Sequence, residues 1–387
     1  MEEAYILLDL TLVILTAKVL EELMSRIKQP PLLGDLMAGI LIGPTVFGLI
    51  KVTDNVKAIG WLGVVLLIFL AGLETNIEDL RKYSKPAILV AIGGVFATFS
   101  MAYIASIFLG YSWYTSLFIA VILAPTSVSV TVATLMELNM LRTKIGETVI
   151  GAAVADDIYA MILFGLVYSL LTGGSHIYQV SWIIAGLAVL ASIFILLKKY
   201  SAGIMRILIG KSRLADAPYT HVLIVGLTIA TMTAFFKLSP IVGAYFAGLA
   251  LSPLLRSHHL ESYYRLLVEF ISPFFFVYAG LLLDPWSALV GLNLSKALET
   301  ALVIVVIGVL GKVLGCGIAA KLSGFDARSS ITVGIAMMPR AGVDLVIAVT
   351  GLSLGVLSME LYFSVLMLIY ITSFTTPVLI KILLKRE

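Results

Sequence analysis

Two stretches of this sequence follow one pattern, and together they decide the fold. The first is Pro31-Leu-Leu-Gly-Asp-Leu-Met-Ala-Gly-Ile-Leu-Ile-Gly-Pro44, and the second is Pro240-Ile-Val-Gly-Ala-Tyr-Phe-Ala-Gly-Leu-Ala-Leu-Ser-Pro253. Pro, Gly, Ala, Gly and Pro recur at equivalent positions, 209 residues apart. Ala71-Gly-Leu73 matches Ala279-Gly-Leu281 at an offset of 208. These ordered matches indicate an internal duplication.

The composition distinguishes a chain that folds in water from one that folds in a lipid bilayer. Of 387 residues, 60% are hydrophobic and 13% are charged, whereas a soluble domain has about a quarter of its residues charged. The chain is therefore predicted to be an all-α polytopic membrane protein surrounded by lipid. Its acidic start, Met1-Glu2-Glu3, differs from the basic start of a signal peptide, so the first segment is expected to remain as a helix.

Thirteen apolar segments are separated by charged or turn-rich breaks, and a spanning helix needs about 20 such residues. They are 4–23, 32–50, 59–73, 86–109, 115–136, 148–171, 182–197, 220–236, 240–255, 266–283, 301–320, 330–354 and 361–380. Nineteen of the 26 Lys and Arg residues follow odd-numbered segments, and four follow even-numbered ones. This bias predicts an external N-terminus and a cytoplasmic C-terminus.

The duplication relates segments that are seven apart. Because seven is odd, each segment of the second half crosses the membrane opposite to its counterpart, which predicts two inverted six-helix repeats and one connecting helix. Inverted repeats are typical of secondary transporters, whose substrate site lies at the repeat interface.

Segments five and twelve are predicted to be broken helices. Segment five contains Ala124-Pro-Thr-Ser127, in which Pro125 removes a backbone donor and Thr126 and Ser127 offer hydroxyls to the freed carbonyls or to an ion. Segment twelve contains Pro339-Arg-Ala-Gly-Val-Asp344. An ordinary proline kink is the alternative for segment five, but paired breaks in the two halves favour a transport site.

Asp156 and Asp157 lie at the middle depth of segment six. Acids inside a membrane helix are costly and usually mark an ion or proton route. Neighbours on a helix point about 100° apart, so one carboxylate is free to face a water-filled cavity while the other contacts a neighbouring helix. A wetted helix end is the alternative.

Three further charged residues lie inside segments. Lys312 in segment eleven is the natural counter-charge for one aspartate, with snorkelling to the interface as the alternative. Arg340 and Asp344 are four residues apart and would pair along one helix face. They would compensate the exposed half-helix ends, and direct ion binding is the other interpretation.

These features resemble the monovalent cation:proton antiporter-2 family, and the NapA-type Na⁺/H⁺ antiporters in particular. The resemblance rests on the adjacent aspartates, the broken Pro-Thr-Ser helix, the lysine of segment eleven and the Pro-Arg break. It implies that Asp157 is the main carrier of the Na⁺ or proton, with Asp156 as the second acid of the site, and that Thr126 and Ser127 lie beside it. It also implies that Asp156 pairs with Lys312 when the site is proton-free or empty, and that segments five and twelve cross at their unwound centres.

The resemblance further implies a homodimer in the cell membrane that works by an elevator-like movement. Residues 1–85 and 218–296 would form the dimer panel, residues 86–179 and 297–387 the moving core, and residues 180–217 the connecting helix and cytoplasmic linker. One departure is that the family often has Pro-Arg-Gly-Glu-Val, whereas the acid here is Asp344, two positions later. Two positions turn about 200° around a helix, so Asp344 need not inherit the glutamate's role.

The expected function is exchange of Na⁺ or Li⁺ for protons. Electroneutral relatives usually carry Asn before a single aspartate, so Asp156 favours the electrogenic version with two protons per Na⁺. K⁺/H⁺ exchange within the same family is the alternative, because side-chain identity does not separate Na⁺, Li⁺ and K⁺ well. Neighbouring acids on one helix disfavour an intramembrane aspartyl protease, so no enzyme is expected. No cofactor and no nucleic-acid partner are expected either; the partners are membrane lipid and a second copy of the chain.

Overall fold

The computed structural model describes most of the chain. The described residues are 2–75, 85–127, 131–132, 134–135, 138, 140, 143–172, 186, 188–197, 199–200, 203, 217–236, 239–257, 260–283, 294–340 and 342–384. Most of residues 180–217, the expected connecting helix and linker, lies outside them.

The described residues form fourteen α-helices. They are α1 (Glu2–Arg26), α2 (Pro31–Ile42), α3 (Asp54–Glu74), α4 (Lys85–Phe108), α5 (Trp113–Ile122), α6 (Lys144–Thr172), α7 (Ala188–Leu197), α8 (Ala217–Phe235), α9 (Pro240–Ser257), α10 (Leu260–Leu281), α11 (Leu294–Leu322), α12 (Ala327–Ala336), α13 (Val343–Ser353) and α14 (Met359–Leu384). This confirms the all-α polytopic prediction. Segment twelve is divided between α12 and α13.

The lengths of the helices reflect their sequences. α3, α4, α6, α11 and α14 contain windows that are long and apolar enough to cross a membrane. Shorter helices have local start and stop signals. For example, α5 begins after Ser112, whose hydroxyl accepts the Thr115 N–H at 3.3 Å. The Asp326 carboxylate caps α12, and hydrogen bonds from Ser329 lower the pKa of this exposed acid.

One compact unit consists of Met1–Lys57, Asp79–Ala160 and Phe276–Glu387. Within it α11 packs against α4, α12 and α14, and α5 packs against α13. Helices α4 and α11 meet backbone to backbone, because a Cβ atom at Gly315 would lie 2.4 Å from the Gly93 carbonyl oxygen. Small residues are what permits such an approach between membrane helices.

The other unit consists of Ala58–Glu78 and Met161–Phe275. Within it a Cβ atom at Gly248 of α9 would lie 2.1 Å from the Phe69 carbonyl oxygen of α3. In the first unit a Cβ atom at Gly39 of α2 would lie 2.0 Å from the Val277 carbonyl oxygen of α10. Gly39 and Gly248 are equivalent in the duplication, so the matched glycines serve the same purpose. The antiparallel relation of the two halves stays a prediction.

Candidate functional site

The candidate site is centred on two adjacent carboxylates in α6. Asp156 has 0% of its surface exposed, whereas Asp157 is partly exposed. The turn of about 100° between neighbouring residues accounts for this difference. The two acids therefore have different environments, as the sequence argument expects of neighbours on one helix.

Asp156 forms a buried ion pair with Lys312 of α11. The Lys312 Nζ atom lies 2.8 Å from Asp156 Oδ1 and 2.6 Å from Oδ2, and both side chains are 0% exposed. Gly94 of α4 packs against the same face of α11, where a Cβ atom would lie 2.3 Å from Cys316 Sγ and 3.5 Å from Lys312 Nζ. Charges buried this deeply are tolerated when they are paired. Lys312 therefore does not snorkel to an interface.

The chain unwinds after α5, and polar groups bridge this break to the break after α12. The Thr126 hydroxyl donates to the Met337 carbonyl at 3.0 Å. The Ser127 N–H donates to the Pro339 carbonyl at 2.8 Å. Pro125 and Pro339 thus lie in two non-helical segments that satisfy one another's backbone groups. These hydrogen bonds replace those that the prolines and the helix ends forfeit.

Arg340 lies in the second break and is 0% exposed. Its N–H donates to the Thr372 hydroxyl at 3.1 Å, its carbonyl accepts from the Ser373 hydroxyl at 3.0 Å, and its guanidinium donates to the Gly308 carbonyl at 3.4 Å. Gly342 ends the break with φ 115°, a conformation that favours glycine. Arg340 is thus anchored by α14 and α11.

Asp344 lies in the first turn of α13 and is 3% exposed. Its charge acts on that of Arg340, and its Oδ2 atom has no hydrogen-bond partner among the described residues. Because Arg340 precedes α13, the four-residue spacing does not place the two side chains on one helix face. An acid at a helix N-terminus is nevertheless in a favourable field.

Asp157 lies in the electrostatic field of three other charged residues. Asp156, Lys312 and Asp344 all act on it. Asp157 is the least buried member of this group. No cluster of three His, Cys, Asp or Glu side chains suited to a resident metal is found among the described residues. The arrangement therefore places one partly exposed carboxylate beside a buried ion pair.

The sequence argument missed a third buried acid, Asp35 of α2, which is 2% exposed. The residue lies inside the quoted repeat, where its partner in the second half is Ala244. A charge within an apolar segment is the signal that identifies such residues, and Asp35 carries that signal inside segment two.

Comparison with protein families gives a match over nearly the whole chain. The family described as sodium/hydrogen exchanger, transmembrane, matches residues 11–386.

Two curated relatives are similar over their full length. The Na⁺/H⁺-K⁺ antiporter GerN of Bacillus cereus is 32% identical over 374 residues, which cover 96% of this chain and 95% of GerN. A Na⁺/H⁺ antiporter of Enterococcus hirae is 29% identical, with 97% of each chain covered.

A solved structure shares the fold. The sodium proton antiporter MjNhaP1 from Methanocaldococcus jannaschii superposes with a TM-score of 0.69 at 16% identity, covering 98% of this chain and 97% of that one. At this identity the likeness concerns the fold alone.

Proposed function

Because the chain belongs to the sodium/hydrogen exchanger family, we propose that it exchanges Na⁺ for protons at the aspartate pair of α6. Family membership makes it a multi-pass membrane transporter and not an enzyme. The observation that carries the proposal is the partly exposed Asp157 carboxylate beside the fully buried Asp156–Lys312 pair. A carboxylate at membrane depth needs a counter-charge, and either a proton or a monovalent cation supplies one.

Exchange follows if Na⁺ and protons compete for Asp157. A protonated carboxyl group has no charge with which to hold Na⁺, and a bound Na⁺ disfavours protonation. The Asp157 carboxylate thus carries one ion or the other when it changes sides. Thr126 and Ser127, whose break contacts the Met337–Pro339 segment, would supply oxygen ligands beside it.

Lys312 gives the transporter a second group that loses and gains a proton. If Na⁺ engages Asp156 as well as Asp157, the lysine loses its partner, and a buried unpaired ammonium favours release of its proton. Two protons would then move for each Na⁺, with one net charge crossing the membrane. That charge couples exchange to the membrane potential by about 2.3 kcal/mol per 100 mV.

Arg340 and Asp344 would stabilise the broken helix. The Arg340 guanidinium follows the C-terminal end of α12, and Asp344 lies at the N-terminal end of α13. A cation near a C-terminus and an anion near an N-terminus offset the exposed helix dipoles. Asp344 would thus act at the N-terminal end of α13, in whose first turn it lies.

The proposal includes a cycle of alternating access in a homodimer. Residues 86–179 and 297–387 would move as a core against a dimer panel of residues 1–85 and 218–296. Residues 180–217 would connect the halves. Inverted repeats allow such a core to face either side of the membrane. The transporter would lie in the cell membrane, and the charge bias predicts that its C-terminus is cytoplasmic.

Transport assays in proteoliposomes with an acidic interior test the function. Adding Na⁺ or Li⁺ outside wild-type vesicles is expected to dissipate the proton gradient, and Asp157→Asn is expected to abolish that response. Asp54→Asn is the matched control, because Asp54 lies exposed in the first turn of α3. The proposal would be refuted if the wild-type protein moves no protons when any monovalent cation is added.

K⁺ is the second candidate cation, since the relative GerN is named a Na⁺/H⁺-K⁺ antiporter. The same vesicles distinguish the two cations if K⁺ replaces Na⁺ with the membrane potential clamped. Varying that potential then tests electrogenicity: a rate that ignores the potential would exclude two protons per Na⁺ but leave exchange itself intact.

A further inference from the structure

A second cluster of charged residues lies between α1 and α2. The two helices approach closely, because a Cβ atom at Gly34 would lie 2.5 Å from the Leu20 carbonyl carbon. The same Cβ atom would lie 2.6 Å from the Glu21 backbone nitrogen, so Asp35 of α2 lies next to Glu21 of α1, whose charge and side-chain hydrogen bonding act on it. Two acids from neighbouring helices thus lie beside a close backbone contact.

Lys18 balances one of these acids. Its Nζ atom lies 2.8 Å from both carboxylate oxygens of Glu21, and its charge also acts on Asp35. In the part of the chain that the structure describes, the charges that act on Asp35 are those of Glu21 and Lys18. From α14, Tyr370 reaches this region as an uncharged group whose hydroxyl donates to the Leu33 carbonyl at 3.4 Å.

Asp35 is the acid of the cluster that has no ammonium group of its own. It is 2% exposed, and its Oδ1 atom has no hydrogen-bond partner among the described residues. One ammonium neutralises one carboxylate, so two ionised acids would leave a net negative charge buried at the helix contact. Such a charge is costly in a membrane helix.

A shared proton resolves this imbalance. Two ionised carboxylates at hydrogen-bond distance repel each other, and sites of this kind retain one proton between them. With that proton the cluster is neutral, and one carboxyl group donates a hydrogen bond to the other. Without it the cluster carries one negative charge.

We propose that Lys18, Glu21 and Asp35 form a proton-binding site, separate from the aspartates of α6, in which Asp35 and Glu21 share one proton. The Lys18 and Glu21 side chains are 47% and 20% exposed in the single chain, whereas Asp35 is buried.

Infrared spectroscopy of the purified full-length protein in lipid nanodiscs tests for the shared proton. The reference is Asp157→Asn, which removes the signal of the partly exposed α6 carboxyl group; Asp156, paired with Lys312, is present in the reference and in every variant. As pH rises, the reference is expected to lose a band from a protonated carboxyl group. Both Asp35→Asn and Glu21→Gln on this background are expected to lack that band and to release one proton fewer per chain in a parallel pH titration.

Glu22→Gln is the matched control, because Glu22 is 64% exposed on the same helix and pairs with Arg26 at 2.9 Å. The control is expected to keep the band and the proton. If Asp35→Asn does not fold, Glu21→Gln carries the test by itself. A band and proton count unchanged in Glu21→Gln would overturn the proposal. Because neither measurement uses transport, this result is independent of whether the chain exchanges Na⁺.

Discussion

Replacing Lys312 by Met is expected to destabilise the protein strongly. Methionine keeps an unbranched side chain but removes the ammonium that lies 2.6 Å from Asp156. Asp156 is 0% exposed, so neither water nor lipid headgroups replace the lost partner. Removing one member of a buried ion pair typically costs about 3–5 kcal/mol, mostly because the other charge stays buried without compensation. The free energy of unfolding should fall by about this amount.

The double variant Asp156→Asn/Lys312→Met distinguishes two causes of the lost stability: the missing attraction between the two side chains, and the buried Asp156 charge that is left without a partner. It removes both charges, so it is expected to be more stable than Lys312→Met alone. Denaturant titration in mild detergent measures both differences, with Lys51→Met as the exposed control. If Lys312→Met unfolds at the same denaturant concentration as wild type, or if the double variant is no more stable than the single one, the reasoning is refuted.

Two other substitutions test the packing around the site. Gly315→Ala should lower the free energy of unfolding by about 1–3 kcal/mol, because its Cβ atom would lie 2.4 Å from the Gly93 carbonyl oxygen. Gly165→Ala should be nearly neutral, since its Cβ atom would meet only Val242 methyl groups at 3.5 Å and beyond. Equal losses of stability in the two glycine variants would contradict this. Thr126→Val should lower the free energy of unfolding by about 1–3 kcal/mol, because it removes the donor to the Met337 carbonyl, whereas Thr126→Ser keeps a hydroxyl and should have near wild-type stability in the same unfolding assay.

Much of the fold follows from the sequence because the membrane imposes strong rules. Apolar runs of spanning length have to be helical, since lipid offers no hydrogen bonds to an open backbone. The breaks near Pro125 and Pro339 follow from the missing proline donor. Which carbonyls pair across those breaks does not follow, because the Thr126–Met337 contact joins residues 211 positions apart.

The charged residues show where sequence reasoning reaches its limit. Lys312 and Asp156 are identifiable as buried charges, and their pairing is the low-energy outcome once α6 and α11 lie close together. Arg340 and Asp344 are also identifiable, but a helical spacing rule does not apply across a break that ends at Gly342. Asp35 does not follow from the duplication, because its repeat partner Ala244 is neutral.

The central claim is that Na⁺ and a proton compete for the Asp157 carboxylate. Its most direct test is proton release measured with an indicator dye when NaCl is added to lightly buffered, detergent-solubilised protein, with choline chloride as the salt control. Wild-type protein is expected to release protons as Na⁺ binds, and Asp157→Asn is expected to release none. Equal proton release from both proteins, or Na⁺ binding to wild type detected by calorimetry without any proton release, would contradict the account.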